Sequence, residues 1–196
     1  MHMPTIDIAP AAARDRTIRI VTLGFIADPM ARWTWPDPDD YLRFMPKFIA
    51  AFAGQAFAHG SAYVADDGRA AALWLPPGAA PDGGAIEALF AATTDPAIHD
   101  DLAAVFEQMD AYHPADRPHW YLPLIAADPA YLARGLGAAL MTRALQRCDE
   151  DGLIAYLESS NPRNLSLYER HGFEIMGRIQ AGASPTLYPM IRQARG

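Results

Sequence analysis

The chain has 196 residues, 51% hydrophobic and 20% charged, with a formal net charge of −7. That length suits one folded domain, and that composition is globular rather than disordered. The acidic balance argues against a general nucleic-acid binder, no apolar run is long enough for a membrane span, and a lone cysteine, Cys148, excludes an internal disulfide.

The N-terminus lacks the basic stretch and long apolar run of a secretory signal, so the expected setting is reducing and cytoplasmic. Six histidines, His2, His59, His99, His113, His119 and His171, show no i, i+4 pairing or other metal-ligand spacing, so no metal is expected.

In chain order, "TIDIAP" reads as a short strand. "ARDRTIRIVTLGFIA" reads as a helix with Ile18, Val21, Phe25 and Ile26 near one stripe. "DPMARWTWPDPDD" is a turn-rich, aromatic connection. "DYLRFMPKFIAAFAG" predicts a second helix, kinked or interrupted at Pro46 and stopped near Gly54. "SAYVADDGRAAALWLPPG" predicts a hairpin turning at Asp67-Gly68. Two helices follow, over about 85–92 and 96–112. "HWYLPLIAADP", nearly all apolar from His119 to Ala127, has the character of a central strand buried on both faces.

Leu136, Leu140, Met141, Ala144, Leu145 and Cys148 then make one face of a long helix ending near Gly152, which places Cys148 in the core. "LIAYLES" is the next strand. "NPRNLSLYERHG" is a compact helix with Asn161 at its N-cap, Pro162 at its first position and Gly172 just past its end. "FEIMGRIQ" and "TLYPMIRQ" are closing strands. The whole is a mixed α/β chain with no linker dividing it.

The chemistry gathers in the second half. Between the strand ending at Ala127 and the following helix lies "DPAYLARGLGAALM", with the helix expected to open around Leu132–Gly137. A helix start leaves backbone N–H groups unpaired and carries partial positive charge. Gly135 and Gly137 leave room for an anion, and Arg134 adds a full charge, so the loop is a sound pyrophosphate cradle. It has no Gly-Lys-Ser/Thr and no three-glycine dinucleotide fingerprint.

The strand ending "LIAADP", the loop "ARGLGAAL" and the motif "NPRNLSLYERHGF", in that order from Tyr121 to Gly177, resemble the GNAT superfamily of acyl-CoA N-acyltransferases. The resemblance implies a GNAT-like α/β fold: a mostly antiparallel sheet with splayed central strands, flanked by helices. It implies one domain over residues 1–196, with an acceptor-side half of about 1–115 and an acyl-CoA half of about 116–196. It implies acetyl-CoA as cofactor and an N-acetyltransferase acting on a primary amine by direct attack on the thioester. The alternative is a non-catalytic acyl-CoA-binding or sensing module.

By position, the resemblance places pantetheine contacts at Ile125, Ala126 and Ala127, with the Ile125 N–H near the thioester oxygen. It places the pyrophosphate against Leu132, Ala133, Arg134, Gly135, Leu136, Gly137 and Ala138. Relatives usually have Gln or Arg, then Gly, where this chain has Leu132 and Ala133. Asn161 matches a cofactor-contacting Asn, Asn164 follows on the same side, and Tyr168 matches the Tyr that protonates the departing thiolate. A phenol with pKa near 10 stays protonated at neutral pH and can do so.

Many relatives hold a Glu where this chain has Tyr121, a poor base. His119, two residues earlier on the same strand face, and Glu158, at the end of the next strand, are the candidate bases. Trp33, Trp35, Tyr41 and Phe44 are the candidate acceptor wall, since aromatic faces take cations or apolar amines. The acceptor is expected to be a small-molecule or peptide amine. Nucleic acid and membrane are not expected as partners, and a homodimer is the commonest assembly for such a protein.

Overall fold

The computed structural model describes residues 4–195, so Met1-His2-Met3 and Gly196 lie outside it. Among the described residues seven strands form one sheet: β1 (Ile6–Ile8), β2 (Ala62–Ala65), β3 (Ala70–Leu75), β4 (His119–Ala127), β5 (Ile154–Ser159), β6 (Glu174–Ile175) and β7 (Tyr188–Arg192). Their order is β1-β2-β3-β4-β5-β7-β6, and only the β4–β5 pair is parallel. On one face lie α1 (Arg14–Gly24), α2 (Pro29–Thr34), α3 (Pro38–Ala53), α4 (Gln55–Ala58), α5 (Gly83–Thr93) and α6 (His99–Tyr112). The other face is covered by α7 (Leu136–Glu150) and α8 (Leu165–Arg170).

Two apolar layers hold this sandwich. Val21, Tyr41, Ile49, Leu73 and Tyr156 are buried on the first face, and Trp74, Leu140, Met141, Ala155 and Cys148 on the second. Burial pushes the Cys148 thiol up to about 12, which keeps it an inert core group. Arg192 is 3% exposed and forks onto Asp149 at 2.7 and 2.8 Å, tying β7 to the end of α7.

The central strand falls where the sequence places it, and several elements differ. The aromatic connection contains α2, because Asp28 caps it by accepting from the Ala31 N–H at 3.1 Å and Pro29 follows at the first position. Helix α3 runs through Pro46 without a break. Pro46 leaves the Leu42 carbonyl without a donor, but Leu42 is 50% exposed, so water can serve that carbonyl. The hairpin turns through four residues rather than two, with positive φ at Asp66, Asp67 and Gly68. Ile26 lies beyond the end of α1 and is exposed rather than core.

Helix α7 starts at Leu136, within the expected 132–137, because Gly135 takes φ 77° and a 3-10 turn covers Pro129–Tyr131. "NPRN" is likewise a 3-10 turn before α8 rather than the first turn of one helix. The strand expected over 173–180 is only Glu174–Ile175 plus an isolated bridge from Ile179 to Leu187. Gly177 passes against the Tyr112 ring, where a side chain would collide with the phenol.

One irregularity positions the site. The β3–β4 register shifts by one residue between Leu73↔Leu124 and Leu75↔Tyr121, so β4 carries an extra residue near Pro123. A proline suits a bulge because it has no N–H to leave unpaired there. The extra residue turns the strand over: Trp120 and Leu122 face α7, and beyond the bulge it is Ile125 and Ala127 that do. Pairing between β4 and β5 ends at Leu122↔Leu157, while β4 continues to Ala127 against β3. The two central strands therefore part, and a gap opens between them.

Candidate active site

The backbone of β4 beyond the bulge is open toward that gap. The Asp128 N–H bonds the Arg69 carbonyl at 2.9 Å, which fixes the phase of the antiparallel ladder. Ala126 and Leu124 then bond β3, and the N–H and C=O groups of Ile125 and Ala127 point away from it, into the gap. Gly24 is packed against this segment. A Cβ there would lie 2.5 Å from the Ala126 Cβ and 2.8 Å from the Ala127 carbonyl oxygen.

At the head of the gap is the glycine loop. Ala133 and Gly135 both have positive φ, 59° and 77°. The first N–H of the α7 ladder with a backbone partner is that of Ala139, bonded to Gly135. Among the described residues the N–H groups of 132–138 have no backbone acceptor, so they form a concave set of free donors at a helix N-terminus. Leu132 is 62% exposed, and the exposed Arg134 lies with its guanidinium 5.1 Å from the Tyr131 ring. Free donors, small residues and an unpaired strand edge in line fit the pyrophosphate and amide-bearing arm of coenzyme A.

A narrow slot of about 30 Å³ lies in the gap, lined by Phe25, Ile125, Glu158, Ser160, Asn164 and Tyr168 among others. Tyr168 is 5% exposed, and burial raises its phenol, with the Asp28 carboxylate adding to the effect. It stays protonated across the ordinary pH range. Asn164 lines the slot. Asn161 spends its side-chain oxygen capping the turn, accepting from the Arg163 N–H at 3.1 Å.

Glu158 stands where three spaces meet. It lines the slot, a compact apolar cavity of about 90 Å³ and a larger one of about 920 Å³. Burial pushes its carboxyl up to about 7, against the opposing pull of the Tyr121 and Tyr156 phenols that face it. Tyr121 and Tyr156 are register partners on β4 and β5. Burial and the Glu158 charge raise both phenols, so neither is a base. Among the described residues the buried Tyr156 hydroxyl makes no well-formed hydrogen bond, although it faces Glu158.

His119 lies farther out. Its Nδ1 is 3.0 Å from the Arg117 carbonyl, which as an acceptor requires a proton on that nitrogen. Its Nε2 is then free to accept from His113 Nε2 at 2.8 Å. Burial, with His119 beside it, pushes His113 down to about 4, so it is neutral at pH 7. His113 bridges outward from Tyr121 and Tyr156, with ring centroids 4.9 and 5.0 Å away.

Of the expected acceptor wall, only Trp35 reaches the small apolar cavity. Tyr41 is fully buried and donates its hydroxyl to the Thr22 carbonyl at 2.6 Å, so it is core rather than acceptor wall. Trp33 and Phe44 are half-buried, and Phe44 packs beneath Arg43 and Lys47. Sequence reading missed Asp28, whose carboxylate accepts from the Ser160 hydroxyl at 2.5 Å and is raised by burial. The Asp-Pro pair was legible as a helix cap, but not its reach to Ser160. Tyr156, two residues before Glu158 on the same strand face, was within reach of strand periodicity.

The sequence model of the acetyltransferase (GNAT) family matches residues 25–173. An uncharacterised N-acetyltransferase of Schizosaccharomyces pombe is 31% identical over 78 residues, covering 40% of this chain and 29% of that protein. The matched stretch thus spans less than a third of that relative. The structure superposes with TM-score 0.69 on a Corynebacterium glutamicum protein described as histone acetyltransferase HPA2 and related acetyltransferase, at 23% identity over 100% of this chain and 98% of that one. A mosquito arylalkylamine N-acetyltransferase-like protein gives 0.65 at 14% identity, covering 97% and 100%. The NatC complex bound to Gag peptide and CoA gives 0.55 at 14% identity, covering 99% and 100%. The parted central strands, the donor loop and the match over most of its length agree: the chain belongs to the acetyltransferase (GNAT) family.

Proposed function

We propose that the protein is an acetyl-CoA-dependent N-acetyltransferase that acts on a primary amine, with Glu158 as base and Tyr168 as acid. The observation that carries this reading is the position of Glu158, at the one point where the slot holding Tyr168 meets both cavities open to an acceptor. Residues 132–138, the Ile125 and Ala127 backbone and Asn164 would hold the cofactor. When bound, it supplies a thioester whose carbonyl carbon gains a C–N bond as its C–S bond breaks.

Glu158 takes a proton from the bound ammonium, which makes its nitrogen lone pair available. A carboxyl raised to about 7 is well matched to that transfer near neutral pH. The Ile125 N–H can donate to the carbonyl oxygen as charge grows on it. Tyr168 gives its proton to the leaving sulfur and recovers one from the acylated nitrogen. Two protons leave the ammonium in all: one ends on sulfur and one reaches solvent. His113 and His119, in line outward from the two tyrosines, offer that second proton a way out. Asp28 holds Ser160 beside the reacting centre. Because Asp28 belongs to the acceptor-side half and Glu158 to the other, we read residues 1–196 as one catalytic unit.

Acetyl-CoA with a panel of amines, read by thiol release, tests the activity. Tyr168→Phe is expected to lower kcat about 100-fold with CoA affinity unchanged, the size usual for a lost general acid. Turnover at the wild-type rate in that variant would remove Tyr168 from the mechanism.

A further inference from the structure

We propose that the acceptor is a monoamine carrying one compact apolar group, aryl or branched alkyl, which seats in the small apolar cavity beside Glu158. This rests on the reading of Glu158 as base. The cavity holds about 90 Å³. Apolar cavities of about 150 Å³ take up benzene. The space here suits a group of about four carbons as it stands, and a ring once the unbranched side chains of Met30, Met45 and Met109 repack.

The cavity's polarity is one-sided. Its described lining contains no Lys, Arg or His, and its carboxylates, Asp28 and Glu158, flank Ser160. Of the other polar groups, Thr34 turns its hydroxyl back to the Met30 carbonyl at 2.9 Å and the Trp35 indole N–H donates to the Thr93 hydroxyl at 3.2 Å. The far wall is aromatic: Trp35 packs against Phe48 and Phe90 with ring centroids 6.1 and 5.8 Å away. An ammonium group is therefore satisfied at one end, and a second charge or a peptide group at the other end would be buried without a partner. The larger 920 Å³ cavity, which shares Phe52, Phe90, Phe106, Met109 and Glu158 with it, is the approach. Glu87, Asp100 and Asp110 line it but stand in water, where they attract a cation without holding it.

Steady-state kinetics of the wild-type protein with isoamylamine, benzylamine and phenethylamine, against putrescine, spermidine and a lysyl peptide, tests this. The apolar monoamines are expected to have kcat/KM at least about tenfold higher, the discrimination one or two methylenes give in a fitted pocket. Equal or better rates with a polyamine or peptide overturn the proposal and leave acetyl transfer standing. If no amine is acetylated although CoA binds, the catalytic reading fails. Calorimetry of isoamylamine with the protein alone then decides the cavity: binding lost in Val105→Phe supports it, and no binding overturns it. Val105→Phe fills the cavity from α6 and is expected to raise KM for the apolar amines about tenfold, with methylamine unchanged. Should that variant fail to fold, Met109→Trp, at a partly exposed site on the same helix, carries the same comparison. An unchanged KM in a folded variant overturns the proposal.

Discussion

At the residue scale, the site depends on a carboxyl held out of its ordinary range. Glu158 has a raised pKa of about 7, so under the proposed mechanism kcat/KM should rise with pH through about 7 and level off above it. Glu158→Gln should abolish that limb along with most of the activity, which a pH–rate profile of both proteins would show. The same shift has a stability sign. The native state holds this proton to higher pH than the unfolded chain, whose Glu titrates near about 4.3. Glu158 therefore costs stability as pH rises from about 4.3 through 7, and the Gln variant should melt higher than wild type at pH 8. Glu158 was legible as a strand-end carboxylate beside a resembling motif. Asp28 was not, because its bond to Ser160 joins residues 132 apart in sequence, and no local pattern encodes a contact of that span.

A second residue carries strain. Ala133 stands where the resemblance expects glycine, and it adopts φ 59°. An L-residue in that region is disfavoured by about 1–2 kcal/mol. Glycine would relieve this at an unfolded-state cost of about 0.4–1 kcal/mol. Ala133→Gly should thus stabilise by up to about 1.6 kcal/mol, at most roughly 3–6 °C in melting temperature for a chain of this size. A lower melting temperature would mean the loop takes another conformation.

At the element scale, the bulge at Pro123 and the close seat of α1 on β4 shape the gap together. The strand itself was legible from its apolar run, bounds included. Its bulge was not, since a one-residue slip shows only in the pairing with β3. Gly24 was read as ordinary helix, yet no side chain fits there. Gly24→Ala forces α1 from the Ala126–Ala127 backbone, with an expected loss of about 1–3 kcal/mol for an overpacked contact. Because the displaced strand also carries the proposed pantetheine donors, CoA affinity should fall with it. Thermal melts and titration calorimetry would separate the two effects. A destabilised variant with unchanged CoA affinity would take the cofactor arm away from this edge.

At the scale of the whole molecule, the second half was more legible than the first. From His119 onward, strand, loop, helix, strand and motif follow one another along the chain, so neighbours in sequence remain neighbours in the site. The proposed acceptor side is assembled from α1, α2, α3, α5 and α6, whose faces meet only through tertiary packing, and there Tyr41 turned out to be core. The cleft joins these halves: Phe25 from the first lines the slot that Ile125, Asn164 and Tyr168 line from the second. A ligand in that slot touches both, so it should stabilise the fold as a unit rather than tighten one loop. At a CoA concentration about 100 times its Kd, mass action contributes about 2.7 kcal/mol. For a chain of this length that is roughly 5–10 °C in a single cooperative transition. A shift of that size seen equally by tryptophan fluorescence, which reports Trp33, Trp35 and Trp74 in the first half and Trp120 in the second, and by far-ultraviolet dichroism is the expected result. Two separated transitions, with only the later one moved by CoA, would show that the halves fold apart and that the acceptor side does not share the cofactor's site.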